Sequence, residues 1–390
     1  MNDAPAPSRQ MLNVDLAIVG GGIMGLWAAY LAEKAGVDTL LIDNGGPTTS
    51  QGLLGALMAY MPDQWDGKKA FQFKALTGLE GELRLLEEET GLSTGYRRSG
   101  RVMPLYTDQQ VATARLRADA ADVNWRAAGA RWAVVETPPV PDWPVSDGAA
   151  LAYVHETFAA HVFPRAVMAA LQTFLANARH VRRIDATVAG IEAAENTLRL
   201  ADGSSIGFAK AIVSAGVGAF PLLQPLWAPT GLPLGRPVKG QAALLAAECD
   251  PGLPIFFDNG LYVIAHPGGR VAIGSTSEDT FEKPHETDGK LDALIAAARR
   301  AVPALADATV VERWAGLRPR GVHREPMVGA IEAFPDIIAL GGGFKTSFGI
   351  ARRLAGHAIG LASGVTPAGE GLPDIYDLRF YLQRANKSPK

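Results

Sequence analysis

One cysteine, Cys249, in 390 residues excludes an internal disulfide and any cysteine-based zinc cluster, and it suits a reducing compartment. Its context, LLAAEC, reads as a strand, so the thiol is expected to be buried and unreactive. An excess of one charge is missing too: a net charge of −3 argues against a nucleic-acid platform. Long apolar runs are absent. The least polar stretch, Leu16 to Ala32, is interrupted by four glycines, so no membrane span is expected. The opening MNDAPAPSRQML lacks a positive segment followed by an apolar core, so residues 1–12 read as a disordered tail and not as a signal peptide. A soluble cytoplasmic protein is the expectation. No Ser-His-Asp, paired-acid or metal-ligand pattern stands out, so no metal is expected, and there are no internal repeats.

With 48% hydrophobic residues, 20% charged residues and a mean hydropathy of +0.07, the chain has an ordinary globular composition. Its length suits about two closely connected domains.

The stretch LAIVGGGIMGLWAAYLAEKAGVDTLLID, Leu16 to Asp43, organises the rest. An apolar run from Leu16 to Val19 breaks into Gly20, Gly21 and Gly22. Apolar residues then recur at helical spacing through Ile23, Leu26, Trp27, Tyr30 and Leu31, and a β-rich run from Val37 to Ile42 ends in Asp43. Gly20, Gly22 and Gly25 fit G-x-G-x-x-G, whose missing side chains let a diphosphate touch backbone at a helix N-terminus. Asp43 follows Gly25 by 18 residues, where a carboxylate can accept hydrogen bonds from a ribose diol. The competing reading is a glycine-rich turn that binds nothing. No second such motif follows, which argues against a separate NAD(P)H domain.

Further along, Asn44 and the loop TTSQGLLG offer Thr49, Ser50 and Gln51 to phosphate or ribose oxygens. An amphipathic helix is expected over Phe71–Thr90, with Leu76, Leu79, Leu83 and Leu86 inside and an acidic face in solvent. Gly95–Tyr106 reads as a strand pair, Asp108–Ala128 as a polar helix, and ETPPVPDWPVSDG as a loop. Pro164 suits the first turn of a helix to Ala178. AIVSAG is a second glycine-rich strand end, placing Ala215 and Gly216 near the same dinucleotide. From Gly235, RPVKGQAALLAAE, GLYVIAHPGGRVAIGSTSE and ATVVERWAGLRPR suggest an antiparallel sheet with hairpins. DIIALGGGFKTSFGIA then repeats strand, glycine turn and helix. The expected fold is α/β with an α+β second domain. A discontinuous Rossmann-type dinucleotide domain covers 13–90, 151–232 and 315–390, and an antiparallel-sheet substrate domain covers 91–150 and 233–314.

Taken in order, VGGGIMG with Asp43, TTSQGLLG, RPVKGQ, YVIAHPGGRVAIGST, GLRP and ALGGGFKTSFGIA resemble the FAD-dependent D-amino acid oxidase, glycine oxidase and sarcosine oxidase-like family, from Asp15 to about Gly364. The resemblance implies noncovalent FAD. Its diphosphate would lie at Gly20, Gly22 and Gly25 with Ile23 and Met24, its ribose at Asp43 and its adenine at Val188. Leu54 and Gly55 would lie near the isoalloxazine, with Gly342, Gly343, Phe344, Lys345 and Thr346 at its pyrimidine edge. Tyr262 and Arg318 match a pocket in which an arginine clamps a carboxylate, Arg318 also bordering the cofactor, with Lys345 as a third candidate for the reacting end. Read from the residues alone, Tyr262 is a strand residue and Arg318 a surface arginine.

Asp43 stands where relatives usually have glutamate, and Lys345-Thr346 where several carry an arginine-containing sequence. His323 and Arg324 occupy a place often held by small residues and an acid. The sole cysteine lies outside the region used for covalent flavin attachment in the sarcosine oxidase branch.

The implied reaction is oxidation of the C–N bond of a D- or N-substituted amino acid. Hydride would pass from the α-carbon to flavin N5, and the imine would hydrolyse to an oxo acid. Oxygen, a quinone or a protein would accept the electrons, and a homo-oligomer is one option for assembly. A flavin hydroxylase shares the N-terminal motif, but its later Gly-Asp flavin motif is not apparent. An FAD-dependent 2-hydroxy-acid dehydrogenase would need a base such as His266 or His323, and a flavoprotein module acting on tRNA would need RNA contacts that the acidic balance disfavours.

Overall fold

A computed structural model describes residues 12–146, 148–227, 233–364 and 371–387. The expected tail lies outside these residues except at its last position. Leu12 already belongs to the strand Leu12–Val19, because it pairs in register with Ile206.

Two eight-stranded sheets carry the chain. In the first, Leu12–Val19 lies between the parallel strands Thr39–Asp43 and Ser205–Val213. Val181–Asp185 extends one side, and Phe334–Gly341 the other. Such doubly covered parallel strands read as continuous apolar runs, and Leu16 to Val19 are all buried. The helix Ile23–Ala35 packs between Pro164–Ala176 and Ser347–Ser363. Pro164 occupies the first turn of its helix, where a missing N–H costs nothing. This is the Rossmann-type sheet expected from the glycine motif, with the second glycine-rich strand end beside the first.

The second sheet is antiparallel except where Ile255–Asp258 runs parallel to Arg101–Leu105. Its order places Thr309–Gly321 and Gly235–Ala246 at one side, the hairpin Leu261–His266 and Arg270–Gly274 in the middle, and Arg101–Leu105 and Ala152–Glu156 beyond. Cross-strand register sets Trp314 opposite Ala242, Ala242 opposite Gly274, Gly274 opposite Tyr262, and Tyr262 opposite Phe257. Direct opposition keeps these residues on one face, which looks toward the first sheet's glycine turns.

Sheet membership differs from the expected partition at two points. Ala152–Glu156, placed with the dinucleotide segments, pairs with Arg101–Leu105 in the second sheet, and Thr309–Gly321 crosses the expected boundary at 314/315 unbroken. The anticipated strand pair over Gly95–Tyr106 reduces to the one strand Arg101–Leu105 and a bridge from Arg97 to His161. Its chain neighbour is not its partner, since Arg101 pairs with Glu156 across 55 residues.

The amphipathic helix runs over Gly67–Thr90, capped by the Asp66 carboxylate, which accepts from Lys69 N at 2.8 Å. Its acidic face is not simply solvated. Glu82 pairs with Arg352 at 2.8 Å, Glu89 accepts from the Tyr30 hydroxyl at 2.9 Å, and Glu87 accepts from the Thr94 backbone at 2.6 Å. Three acids thus tie the helix to its neighbours. No helix among the described residues is long and apolar enough to cross a membrane.

Candidate active site

Between the glycine turns and the second sheet runs a cavity of about 730 Å³, lined at one end by Asp43 and Val188 and at the other by Tyr262 and Arg318. Its chemically different linings bear on the expected cofactor.

At the first end the chain turns on backbone that side chains would obstruct. Gly20 has φ +108°, and a Cβ there would meet the Ser214 carbonyl at 2.7 Å; a Cβ on Gly25 would lie 1.8 Å from the Gly20 carbonyl oxygen. These two glycines let the strand Leu12–Val19 and helix Ile23–Ala35 meet closely, and Gly25 does not line the cavity. Gly22 differs. A Cβ on it would meet nothing nearer than Ser50 Oγ at 3.4 Å, so the protein alone leaves room for a side chain that a diphosphate would fill. Gly20, Gly22, Ile23 and Met24 all line the cavity at the helix N-terminus.

Asp43 accepts from Gly21 N at 2.5 Å through one carboxylate oxygen and from Gly45 N at 2.9 Å through the other, which fixes it at the cavity wall beside Asn44. A carboxylate oxygen has more than one acceptor site, so a ribose hydroxyl remains within its capacity. Thr49 and Ser50 line the cavity as expected. Ser50 Oγ accepts from Ile23 N at 2.9 Å, and the Thr49 hydroxyl donates to the Leu317 carbonyl. Gln51 is not brought there. Its short helical turn leaves it exposed, with its carbonyl accepting from Arg165 Nε at 3.0 Å.

Ala215 and Gly216, at the second strand end, face the same space, as do Leu54 and Gly55. Gly342, Gly343, Phe344, Lys345 and Thr346 line it where the chain enters the helix Ser347–Ser363. A helix N-terminus directed at the cavity is a fixed partial positive charge. Glycine turns at one wall, an acid for the ribose and a second helix N-terminus opposite form a donor set that fits FAD.

At the far end, Arg318 is half-buried and donates from Nη1 to the Thr276 carbonyl at 3.0 Å. Burial lowers its pKa to about 10 despite the opposing influence of Tyr262 and Glu278, yet it remains a cation at neutral pH. Tyr262 packs on Phe257 with ring centroids 4.7 Å apart. Burial raises its pKa, against the lowering influence of Arg101 and Arg318, so it stays a neutral phenol. Lys345 is exposed at the cavity edge, its pKa lowered by desolvation and then by Arg318 and Arg320.

Neither histidine offered as a base reaches this space, and no histidine among the described residues lines it. His266 is buried, its Nε2–H donating to the Leu53 carbonyl at 3.1 Å, and His323 packs edge-on to Tyr381. Leu53 to Met58 line the cavity, in keeping with the expectation that this stretch passes beside an apolar ring, whereas Trp314 and Arg101 line it without having been anticipated. Two-residue alternation from Arg318 back through Gly316 to Trp314 could have found the first. Nothing local marks Arg101.

The family model for FAD dependent oxidoreductases matches residues 15–356. A glycine oxidase from Pseudomonas aeruginosa is 27% identical over 372 residues, covering 90% of this chain and 95% of that protein. Glycine oxidase from Geobacillus kaustophilus has a similar structure, with a TM-score of 0.79 at 20% identity over 92% of this chain and 97% of that one. Iminodiacetate oxidase from Chelativorans sp. BNC1 gives 0.78 at 21% identity over 93% and 98%. With the cavity's chemistry and a match over most of its length, this chain belongs to the FAD dependent oxidoreductase family and uses FAD.

Proposed function

We propose that this enzyme oxidises the C–N bond of a small D- or N-substituted amino acid, which Arg318 holds by its carboxylate. The observation that carries this reading is the Arg318 guanidinium itself, a half-buried cation at the cavity end whose Nη1 donates to the Thr276 carbonyl. A planar guanidinium offers parallel donors to two carboxylate oxygens, and low local dielectric strengthens that pair. The similarity to glycine oxidase and iminodiacetate oxidase, both oxidases of amino acids by name, supports the same substrate class.

FAD, when bound, supplies the hydride acceptor. It would be held noncovalently at Gly20, Gly22, Asp43, Ser50, Val188 and the turn Gly342–Thr346, since Cys249 does not line the cavity. Arg318 anchors the substrate carboxylate, and the neutral Tyr262 phenol closes beside it as hydrogen-bond donor. Orientation of the α-C–H bond toward the cofactor is their contribution. A substrate amine that arrives deprotonated requires no protein base, in keeping with a cavity free of histidine among the described residues. The imine product is hydrolysed by water to an oxo acid, with release of ammonia or, from an N-substituted substrate, of the corresponding primary amine. A 2-hydroxy-acid substrate would require a basic group near its hydroxyl, and neither His266 nor His323 lines the cavity.

The test is anaerobic bleaching of the purified flavoprotein's visible spectrum against D- and L-amino acids, N-methyl amino acids and 2-hydroxy acids. Bleaching by amines is expected, and readmitting air distinguishes an oxidase from a dehydrogenase that passes electrons to a quinone or protein. Bleaching by hydroxy acids alone would overturn the reading.

A further inference from the structure

A second arginine belongs to the same cavity. Arg101 is 2% exposed on the strand Arg101–Leu105, and it lines the cavity with Met58, Phe257 and Tyr262. Its Nε lies 3.1 Å from Glu156 Oε1, while Glu156 Oε2 accepts from Phe158 N at 2.7 Å and Ala159 N at 2.9 Å. The carboxylate therefore has its donors, but the guanidinium lacks acceptors. Among the described residues Nη1 has only the Met58 thioether, at 3.3 Å, as acceptor and Nη2 has none, while the Trp132 ring centroid lies 5.8 Å from the guanidinium carbon.

A buried charged donor without an acceptor is costly, and sulfur is a weak acceptor. Replacing a buried ion pair by apolar groups is often neutral or stabilising, so structural support alone is a weak account of Arg101. Met58 is only partly buried, packs in the same cluster as Tyr262, and has an unbranched side chain that changes rotamer easily. Withdrawal of its sulfur would leave a guanidinium edge facing the cavity. Arg318 and Arg101 thus reach one cavity from strands on either side of Tyr262.

We propose that Arg101 is a specificity residue that binds a second carboxylate of the substrate, displacing the Met58 sulfur, so that the preferred substrates are dicarboxylic amino acids. The second carboxylate belongs either to the side chain or to a carboxymethyl group on nitrogen; both present the same anion to Arg101. This rests on the assignment of Arg318 to the first carboxylate.

The experiment titrates FAD-loaded enzyme with butyrate and with succinate, unreactive acids of equal chain length, and follows the flavin absorbance change. Succinate should bind at least about tenfold more tightly, the scale of one added charge-assisted hydrogen bond. In the double variant Arg101→Met/Glu156→Gln, which leaves no orphan charge, the ratio of the two affinities should fall to about one. Met58→Glu keeps the ion pair and places a carboxylate beside the free guanidinium edge; it should abolish the preference as well, which covers failure of the double variant to fold. Equal affinities in the wild type, or a preference that survives both substitutions, would overturn the proposal. Butyrate binding with no succinate preference removes Arg101 alone, whereas failure of both acids to bind removes Arg318 too. Turnover of D-aspartate and of iminodiacetate then separates the side-chain from the N-linked source.

Discussion

Arg318 lies across Gly240: a Cβ on that glycine would sit 2.2 Å from the guanidinium carbon and from both terminal nitrogens. Gly240 and Gly316 face each other in register on adjacent strands, and a Cβ on Gly316 would lie 2.4 Å from the Trp314 ring. Two opposed glycines thus form a floor over which Trp314 and Arg318 extend into the cavity.

Gly240→Ala should displace Arg318 while leaving strand pairing intact. The expected loss is about 1.5 to 3 kcal/mol in the binding of carboxylate ligands, the scale of one hydrogen bond to a charged group. Titration of the flavin spectrum with a monocarboxylate measures it, and unchanged affinity would show that the guanidinium is free to move aside.

Removing Arg318 itself should be more severe. Arg318→Ala is expected to weaken carboxylate substrates by about 2 to 5 kcal/mol, as for truncation of one member of a buried charge pair. Arg318→Lys should recover only part of this, because an ammonium lacks the paired donors. Steady-state kcat/KM for the best substrate is the readout, with flavin content measured alongside to confirm that the cofactor is retained. Wild-type values for Arg318→Ala would take it out of the substrate site.

Gly22 and Gly25 separate binding from folding. Gly22→Asp meets little protein but sets an anion against the diphosphate, so the expected product is a folded protein that emerges from purification without FAD. Gly25→Ala collides with the Gly20 carbonyl oxygen at 1.8 Å and should destabilise the apoprotein itself, by about 1 to 3 kcal/mol or more. Circular dichroism melts of the apoproteins, with flavin absorbance, distinguish the two. Normal flavin content in Gly22→Asp would refute the diphosphate site.

The buried rings of His161 and His266 lie 5.3 Å apart and make stability depend on pH. Burial lowers both pKa values, and for His266, with His161 a further lowering influence, the value falls from 6.5 to about 4. Between those limits the unfolded chain binds a proton that the native His266 does not, so native stability is lost as pH falls from about 6.5 to about 4 and the loss levels off below. For His266 the whole change amounts to at most about 3 kcal/mol. His266→Gln, which keeps an N–H for the Leu53 carbonyl, should flatten this limb. Urea unfolding of wild type and variant at about pH 7 and about pH 5 checks it; a pH-independent difference between them would mean that His266 titrates normally.

Much of the cofactor wall was readable because its requirements are local. Gly20, Gly22 and Gly25 sit in one strand-turn-helix unit, Asp43 ends the next strand, and Gly342 to Thr346 repeat the pattern. Close approach of backbone needs glycine whatever the rest of the chain does. The same locality explains why Gly25 was assigned to the ligand: spacing shows that a Cβ is forbidden, but not whether phosphate or the Gly20 carbonyl forbids it. Gln51 failed for a related reason, since a polar residue in a short turn carries no mark of the side it faces.

Arg101 was invisible for a different reason. It stands in a strand whose partner, Ala152–Glu156, is remote in sequence, and whether alternate residues look into a cavity or away from it depends on that pairing. By itself, then, the sequence determined the Rossmann-type unit and the cofactor turns, because short-range spacing encodes backbone geometry, whereas Tyr262 and Arg318 became candidates only through the family resemblance. Tertiary structure alone decided that Gly240 seats Arg318, that His266 turns away from the cavity, and that Arg101 reaches it with donors to spare, because strand register sets which side chains converge.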